Sequence, residues 1–181
     1  MIDTIQHLVQ SGDRIHKIEG MFSGTLNYVF SNFNSGITFK KVIEDARAAG
    51  LTEPDPRTDL SGVDVQRKIL ILAREAGYTL EMADVEGKGF LLDSQMEGSI
   101  DAFMDSLPDI EEAMQAKWKE ADANGERLKY VGSFDAKTGQ ASTGLTTVPA
   151  EHPFYNIEGT DNIVLLTTDR YADRPLIIQG A

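Results

Sequence analysis

The stretch from Glu53 to Ala73 constrains the fold of this chain more than any other. Its first half, Glu53-Pro54-Asp55-Pro56-Arg57-Thr58-Asp59, places two prolines one residue apart. Each proline fixes its own φ and removes a backbone donor, so the spacing predicts an extended run over 52–61 and no helix. Ser61 then reads as an N-cap, with Asp64 three residues on where a capping box normally has Glu or Gln. The helix behind it is predicted to run to Ala76 and stop at Gly77. Its far half, Ile69-Leu70-Ile71-Leu72-Ala73, is apolar on every side, which predicts burial all round. Such a helix needs a core to enter, and 181 residues are enough for one domain that has one.

The same stretch holds the candidate chemistry. Glu53, Asp55, Asp59 and Asp64 bring four acids close together ahead of the apolar run. Asp64 and Lys68 are four residues apart and share one side of the helix. A lysine beside a carboxylate in a partly buried pocket is a proton-transfer group; on an open surface it is an ordinary helix salt bridge. Spacing alone leaves both readings open. Arg57 is likewise either a carboxylate clamp or a surface ion pair.

Composition narrows the classes. There are 29 acidic and 17 basic residues, a net charge of -12, against a phosphate-backbone binder, so no nucleic-acid partner is expected. Cysteine is absent, which excludes disulfides, thiolate metal sites and cysteine nucleophiles. No apolar stretch approaches the roughly 20 residues that span a bilayer. Polar residues interrupt Ile2 to Val9, unlike a secretion signal. The expectation is a soluble cytoplasmic protein without a membrane partner. His7, His16 and His152 lack metal-ligand spacing, so no metal site is expected. Neither GxGxxG nor GxxxxGK[ST] occurs, so the chain has no dinucleotide or nucleotide phosphate site of its own. Gly20 and Gly24 form a lone GxxxG. From Glu97 to Arg127, nine acids and three bases hold half the net charge. Apolar Phe103, Leu107, Ile110, Met114 and Trp118 recur at helical spacing there, which predicts two helices, parted at Pro108, with a solvated acidic face.

Elsewhere the patterns predict helices over 2–10, over 24–33 capped by Ser23, and from Thr38 to Ala48, and a strand over 14–20. Met82 to Leu92 has strand character, as do 128–134, 141–148, 163–168 and 175–179. Asp135 to Gly139 reads as a hairpin turn. The expected fold is α+β: a mixed, largely antiparallel sheet covered on one face by helices, in one domain over 1–181.

Three blocks together resemble homoserine dehydrogenase, especially the bifunctional aspartate kinase/homoserine dehydrogenases. They are Gly20-Met-Phe-Ser-Gly-Thr-Leu-Asn27, Gly50-Leu-Thr-Glu-Pro-Asp-Pro-Arg57, and Asp59-Leu-Ser-Gly-Val-Asp-Val-Gln-Arg-Lys68, continuing through Glu75. Weaker likeness extends through Tyr130-Val-Gly132 and Pro175-Leu-Ile-Ile-Gln-Gly180. The resemblance implies an oxidoreductase interconverting aspartate 4-semialdehyde and homoserine with NADPH or NADH, on the route to threonine and methionine. It implies that this chain is the substrate-binding and dimerisation domain, with the Rossmann cofactor domain elsewhere, and that no cofactor binds this piece by itself. By the same resemblance Lys68 transfers the proton, and Asp64 holds the hydroxyl or a neighbouring water. Glu53 meets the substrate ammonium, Asp59 lines the pocket, and Thr25 lies at the junction of substrate and nicotinamide. The family usually has a second acid beside the one at Asp59; here that place is Thr58. The alternative is a non-enzymatic module that forms a dimer or binds an amino acid.

Overall fold

The computed structural model describes residues 1–180. Helix α1 (Ile2–Gln10) leads into strand β1 (Ile15–Met21) and helices α2 (Gly24–Asn32), α3 (Phe39–Ala48), α4 (Arg57–Leu60) and α5 (Val63–Glu75). Strand β2 (Val85–Lys88), helices α6 (Ile100–Ser106) and α7 (Glu111–Ala123), and strands β3 (Arg127–Asp135), β4 (Gln140–Val148), β5 (Asn162–Thr168) and β6 (Leu176–Gly180) follow. One six-stranded sheet runs β2-β4-β3-β1-β5-β6. Only β2 and β4 pair in parallel; the other four pairings are antiparallel.

The helices cover one face, as expected. Ile18 of β1, Tyr130 and Phe134 of β3, and Val164 and Leu166 of β5 meet Leu26, Val29, Val65, Ile69 and Leu72 in the main core. A second, smaller cluster joins Met21, Val148, Ile163 and Leu165 to Phe154 and Ile157 of loop 149–161. Ser23 caps α2 by accepting from Leu26 N at 3.2 Å, and Thr38 caps α3 in the same way.

Three local expectations need correction. The run over 52–61 is not extended throughout, because Arg57–Leu60 forms one helical turn. A proline lacks only a donor that a helix start leaves unpaired, so Pro56, at φ -60, opens this turn rather than forbidding it. Ser61 is not the cap of α5. It still belongs to the α4 turn, its hydroxyl donating to Thr58 O at 3.0 Å, and Gly62 at φ 71 takes the N-cap position. There the chain must bend left-handed directly against Tyr130: a Cβ on Gly62 would lie 2.0 Å from the tyrosine oxygen. The apolar run in α5 is not buried all round, since Ile71 is 44% exposed.

Strand character from Met82 to Leu92 is also realised only in part. Met82–Asp84 is a 3₁₀ turn, and pairing ends at Lys88. Beyond Gly89 the chain leaves the sheet to place Phe90 edge-on to Phe30, Phe39 and Tyr130. Between α6 and α7 a 3₁₀ turn over Leu107–Ile110 carries Pro108 in its first positions.

Phe22, just past β1, is fully buried. Its ring lies across Gly20 and Gly132, which are register partners on β1 and β3. A Cβ at Gly20 would approach the ring to 2.3 Å, and one at Gly132 to 3.0 Å. The two glycines together make a bed that no side chain may occupy. Gly20→Ala is therefore expected to cost about 1–3 kcal/mol by overpacking, read as a fall in urea midpoint at unchanged slope.

Lys129 of β3 is 1% exposed, and burial lowers its pKa from 10.5 to about 8. Between these values the unfolded chain binds more protons than the folded one, so this lysine makes stability rise with pH. Tyr130, whose pKa burial raises, opposes the trend only above its ordinary 10.0. Urea denaturation at about pH 7.5 and about pH 9.5 should show wild type gaining stability relative to Lys129→Met.

Candidate active site

Two polar networks meet around the turn from β1 to α2. In the first, Lys68 of α5 is half-buried, and its ammonium donates to Phe22 O at 2.8 Å. It also pairs with Asp64 Oδ2 at 2.8 Å. The two side chains are 44% and 58% exposed, so the pair itself adds little stability; what it supplies is direction. An ammonium has three N–H donors, and these two acceptors account for two. With its amide oriented to donate, Asn162 approaches the same Phe22 carbonyl at 3.2 Å and Met21 O at 3.3 Å. The carbonyl that orients Lys68 is thus held by the ring bed below and by β5 beside it.

In the second network Asp59 of α4 is the centre. Its Oδ1 lies 3.1 Å from the Thr25 hydroxyl, and its Oδ2 accepts from Glu53 N at 2.8 Å. Buried Thr25 also donates to Leu51 O, so its single proton is shared between two acceptors. Phe22 and Thr25 are three residues apart, which ties the two networks to one turn. Of the residues expected at the site, Lys68, Asp64, Asp59 and Thr25 are engaged through their side chains. Glu53 is engaged through its backbone N–H, and its residue is exposed. Thr58 is also exposed.

Arg57 resolves as a clamp within the chain. Its guanidinium holds Asp55 through contacts of 2.6–3.0 Å and donates to Gly98 O at 3.1 Å, with the Phe103 ring 5.8 Å away. That guanidinium keeps the Asp55 carboxyl below its ordinary value. The histidines lie outside both networks: His16 pairs with Asp169 at 2.6 Å, and the His152 ring accepts from Phe154 N at 3.2 Å. Among the described residues no cluster of His, Cys, Asp and Glu is arranged to hold a metal ion.

Beside Lys68 opens a cleft of ≈ 510 Å³, lined by Met1, Ile2, Asp3, Phe22, Ile71 and Leu72. The exposure of Ile71 is explained here, for it forms one wall. The Phe22 carbonyl has no signal in the sequence, because a backbone acceptor has no letter of its own. Its only trace is the pair of glycines, Gly20 and Gly132, that seat the ring.

Comparison with known proteins decides the family. The model for homoserine dehydrogenase matches residues 1–181. The chain belongs to the homoserine dehydrogenase family. It is 44% identical over 181 residues to the maize chloroplastic bifunctional aspartokinase/homoserine dehydrogenase 2, covering 99% of this chain and 20% of that one. It is 39% identical to the homoserine dehydrogenase of Paracoccidioides brasiliensis, covering 100% of this chain and 51% of that one. A Candida auris protein of unknown function superposes with a TM-score of 0.94 at 36% identity, over 100% of this chain and 52% of that one. The chain therefore spans about a fifth to a half of the length of these relatives. No helix among the described residues is long and apolar enough to cross a membrane.

The Thr25 hydroxyl is the link between Asp59 and the segment carrying Phe22. Thr25→Val leaves two part-buried acceptors without it and should lower stability by about 1 kcal/mol in chemical denaturation, while Thr25→Ser should recover most of the loss.

Proposed function

We propose that this chain is the substrate-binding and catalytic portion of a homoserine dehydrogenase, interconverting aspartate 4-semialdehyde and homoserine with NAD(P)H for threonine and methionine biosynthesis. The observation that carries this reading is the Lys68 ammonium, with one donor fixed by Asp64, one by Phe22 O, and one left for a substrate oxygen.

The chemistry follows from that geometry. Negative charge develops on the aldehyde oxygen as its carbon is reduced, and a cation aimed at that oxygen lowers the barrier. Lys68 then gives the oxygen its proton, and in the reverse direction takes the proton of the homoserine hydroxyl. Asp64 orients the lysine and holds the hydroxyl or a neighbouring water. Asp59 and Glu53 receive the substrate ammonium, and Thr25 fixes the orientation of Asp59.

The residues fit a nicotinamide at one end only. Exposed Ile71 offers an apolar surface for its ring beside Lys68. A glycine-rich turn opening a helix, as pyrophosphate requires, is not found in this sequence. A bound NADPH or NADH supplies the hydride. Its phosphates belong to a Rossmann domain elsewhere in a longer protein, which fits the length of the relatives. The 1–181 unit is then the substrate and dimerisation domain. For the homodimer we propose the sheet face opposite the helices, where Glu19, Val131, Ser133, Ser142 and Thr146 lie along an open groove. With no disulfide to form, the fold needs no oxidising compartment, and we place the enzyme in the cytoplasm.

In the full-length enzyme, Lys68→Ala should lower kcat by about 10²–10⁴-fold with little change in homoserine KM or melting temperature. Near-wild-type turnover would exclude the role. The chain alone should bind homoserine without NAD(P)-dependent turnover; measurable turnover would show that the cofactor site is complete here.

A further inference from the structure

A second polar cavity lies away from Lys68 and shares none of its residues. It measures ≈ 290 Å³ and is walled by Phe30, Phe33 and Trp118, with Lys129, Asp122 and Glu126 among its polar groups. Lys129 is the puzzle in it. Its ammonium is buried and donates to Ile157 O and, at 3.3 Å, to Ser31 Oγ. No carboxylate among the described residues lies within ion-pair distance of it. Glu158, on the same cavity, is held by Arg127 at 3.0 Å, and Arg127 stacks 4.4 Å from the Tyr155 ring. Glu158 acts on Lys129 only through space, so a buried cation with a donor to spare and no carboxylate in contact leaves a place for an anionic group from outside.

The opposite charge is also out of place. Asp122 stands in the last turn of α7, and Glu126 just beyond it. A helix C-terminus already carries partial negative charge, which cations there relieve and acids worsen. No basic residue occupies that last turn, and neither acid takes part in an ion pair among the described residues. The cavity thus presents a buried ammonium, carboxylates at a helix C-terminus, and an aromatic wall.

We propose that this cavity binds a small zwitterionic α-amino acid. The ligand's carboxylate meets Lys129, its ammonium meets Asp122 and Glu126, and a short aliphatic side chain packs against Trp118 and Phe33. The acids disfavour simple carboxylates and dianions, and the buried lysine disfavours simple amines, so only a molecule bearing both charges gains from both ends.

Trp118 is the sole tryptophan of the chain and walls this cavity, so its fluorescence reports on binding there. The purified chain should be titrated with L-2-aminobutyrate, acetate and ethylamine, with calorimetry in parallel. The expected result is a saturable change with L-2-aminobutyrate and binding at least about tenfold weaker for the other two. Lys129→Met should abolish the response. The surface double variant Asp122→Asn/Glu126→Gln, which leaves the core untouched, should weaken it about tenfold and decides the matter if Lys129→Met does not fold. Asp59→Asn should leave it unchanged, which separates this site from the proposed substrate pocket. No saturable signal, an equal response to acetate, or undiminished binding in the double variant would each overturn the proposal.

Discussion

The Phe22 ring, seated across a pair of glycines, is the contact on which the rest depends. Gly20 and Gly132 face each other on β1 and β3, and their missing side chains let an aromatic ring lie flat against the sheet. Val65 of α5 also lies against Gly132, so the helix, the ring and the sheet meet at one point. With the ring fixed, the Phe22 carbonyl is fixed, and that carbonyl aims Lys68. Packing in the core is in this way converted into the orientation of a half-exposed cation. The salt bridge to Asp64 is too open to do this alone.

The acidic, proline-broken stretch completes the arrangement from the other side. Pro56 opens a single helical turn, which brings Asp59 back toward Thr25 and the Glu53 amide. Gly62 then turns left-handed over Tyr130, so α5 starts where Asp64 and Lys68 flank the β1–α2 turn. Arg57 locks the outer part of the stretch to Asp55 and to the Gly98 carbonyl. The three aspartates therefore act differently. Asp55 holds the loop, Asp59 ties loop to helix, and Asp64 pairs with the lysine.

Much of this was legible in the residues. Strands β3 to β6 follow from their β-branched and aromatic runs, and the caps of α2 and α3 from Ser23 and Thr38. The i, i+4 spacing placed Asp64 and Lys68 together. What sequence did not show depends on distant contacts. The left-handed Gly62 needs Tyr130 beneath it, nearly seventy positions on. A helix apolar on all sides has no polar residue to mark the side that stays open, so nothing in the letters singles out Ile71. Lys129 alternates with buried Leu128 and Tyr130 and should face outward, but loop 149–161 folds over it. The anchoring of Lys68 to a main-chain carbonyl has no side-chain signature at all.

The relatives are two to five times longer, and in the proposed enzyme this chain supplies one side of the Lys68 site. On that side, Phe22 O and Asp64 engage two donors of Lys68, and the proposed role gives the third to the substrate oxygen. A crystal structure of the full-length enzyme with homoserine bound tests this most directly. Lys68 Nζ is expected within hydrogen-bond distance of the homoserine hydroxyl while both contacts persist. A complex in which Lys68 abandons Phe22 O, or in which the hydroxyl lies beyond its reach, would contradict it.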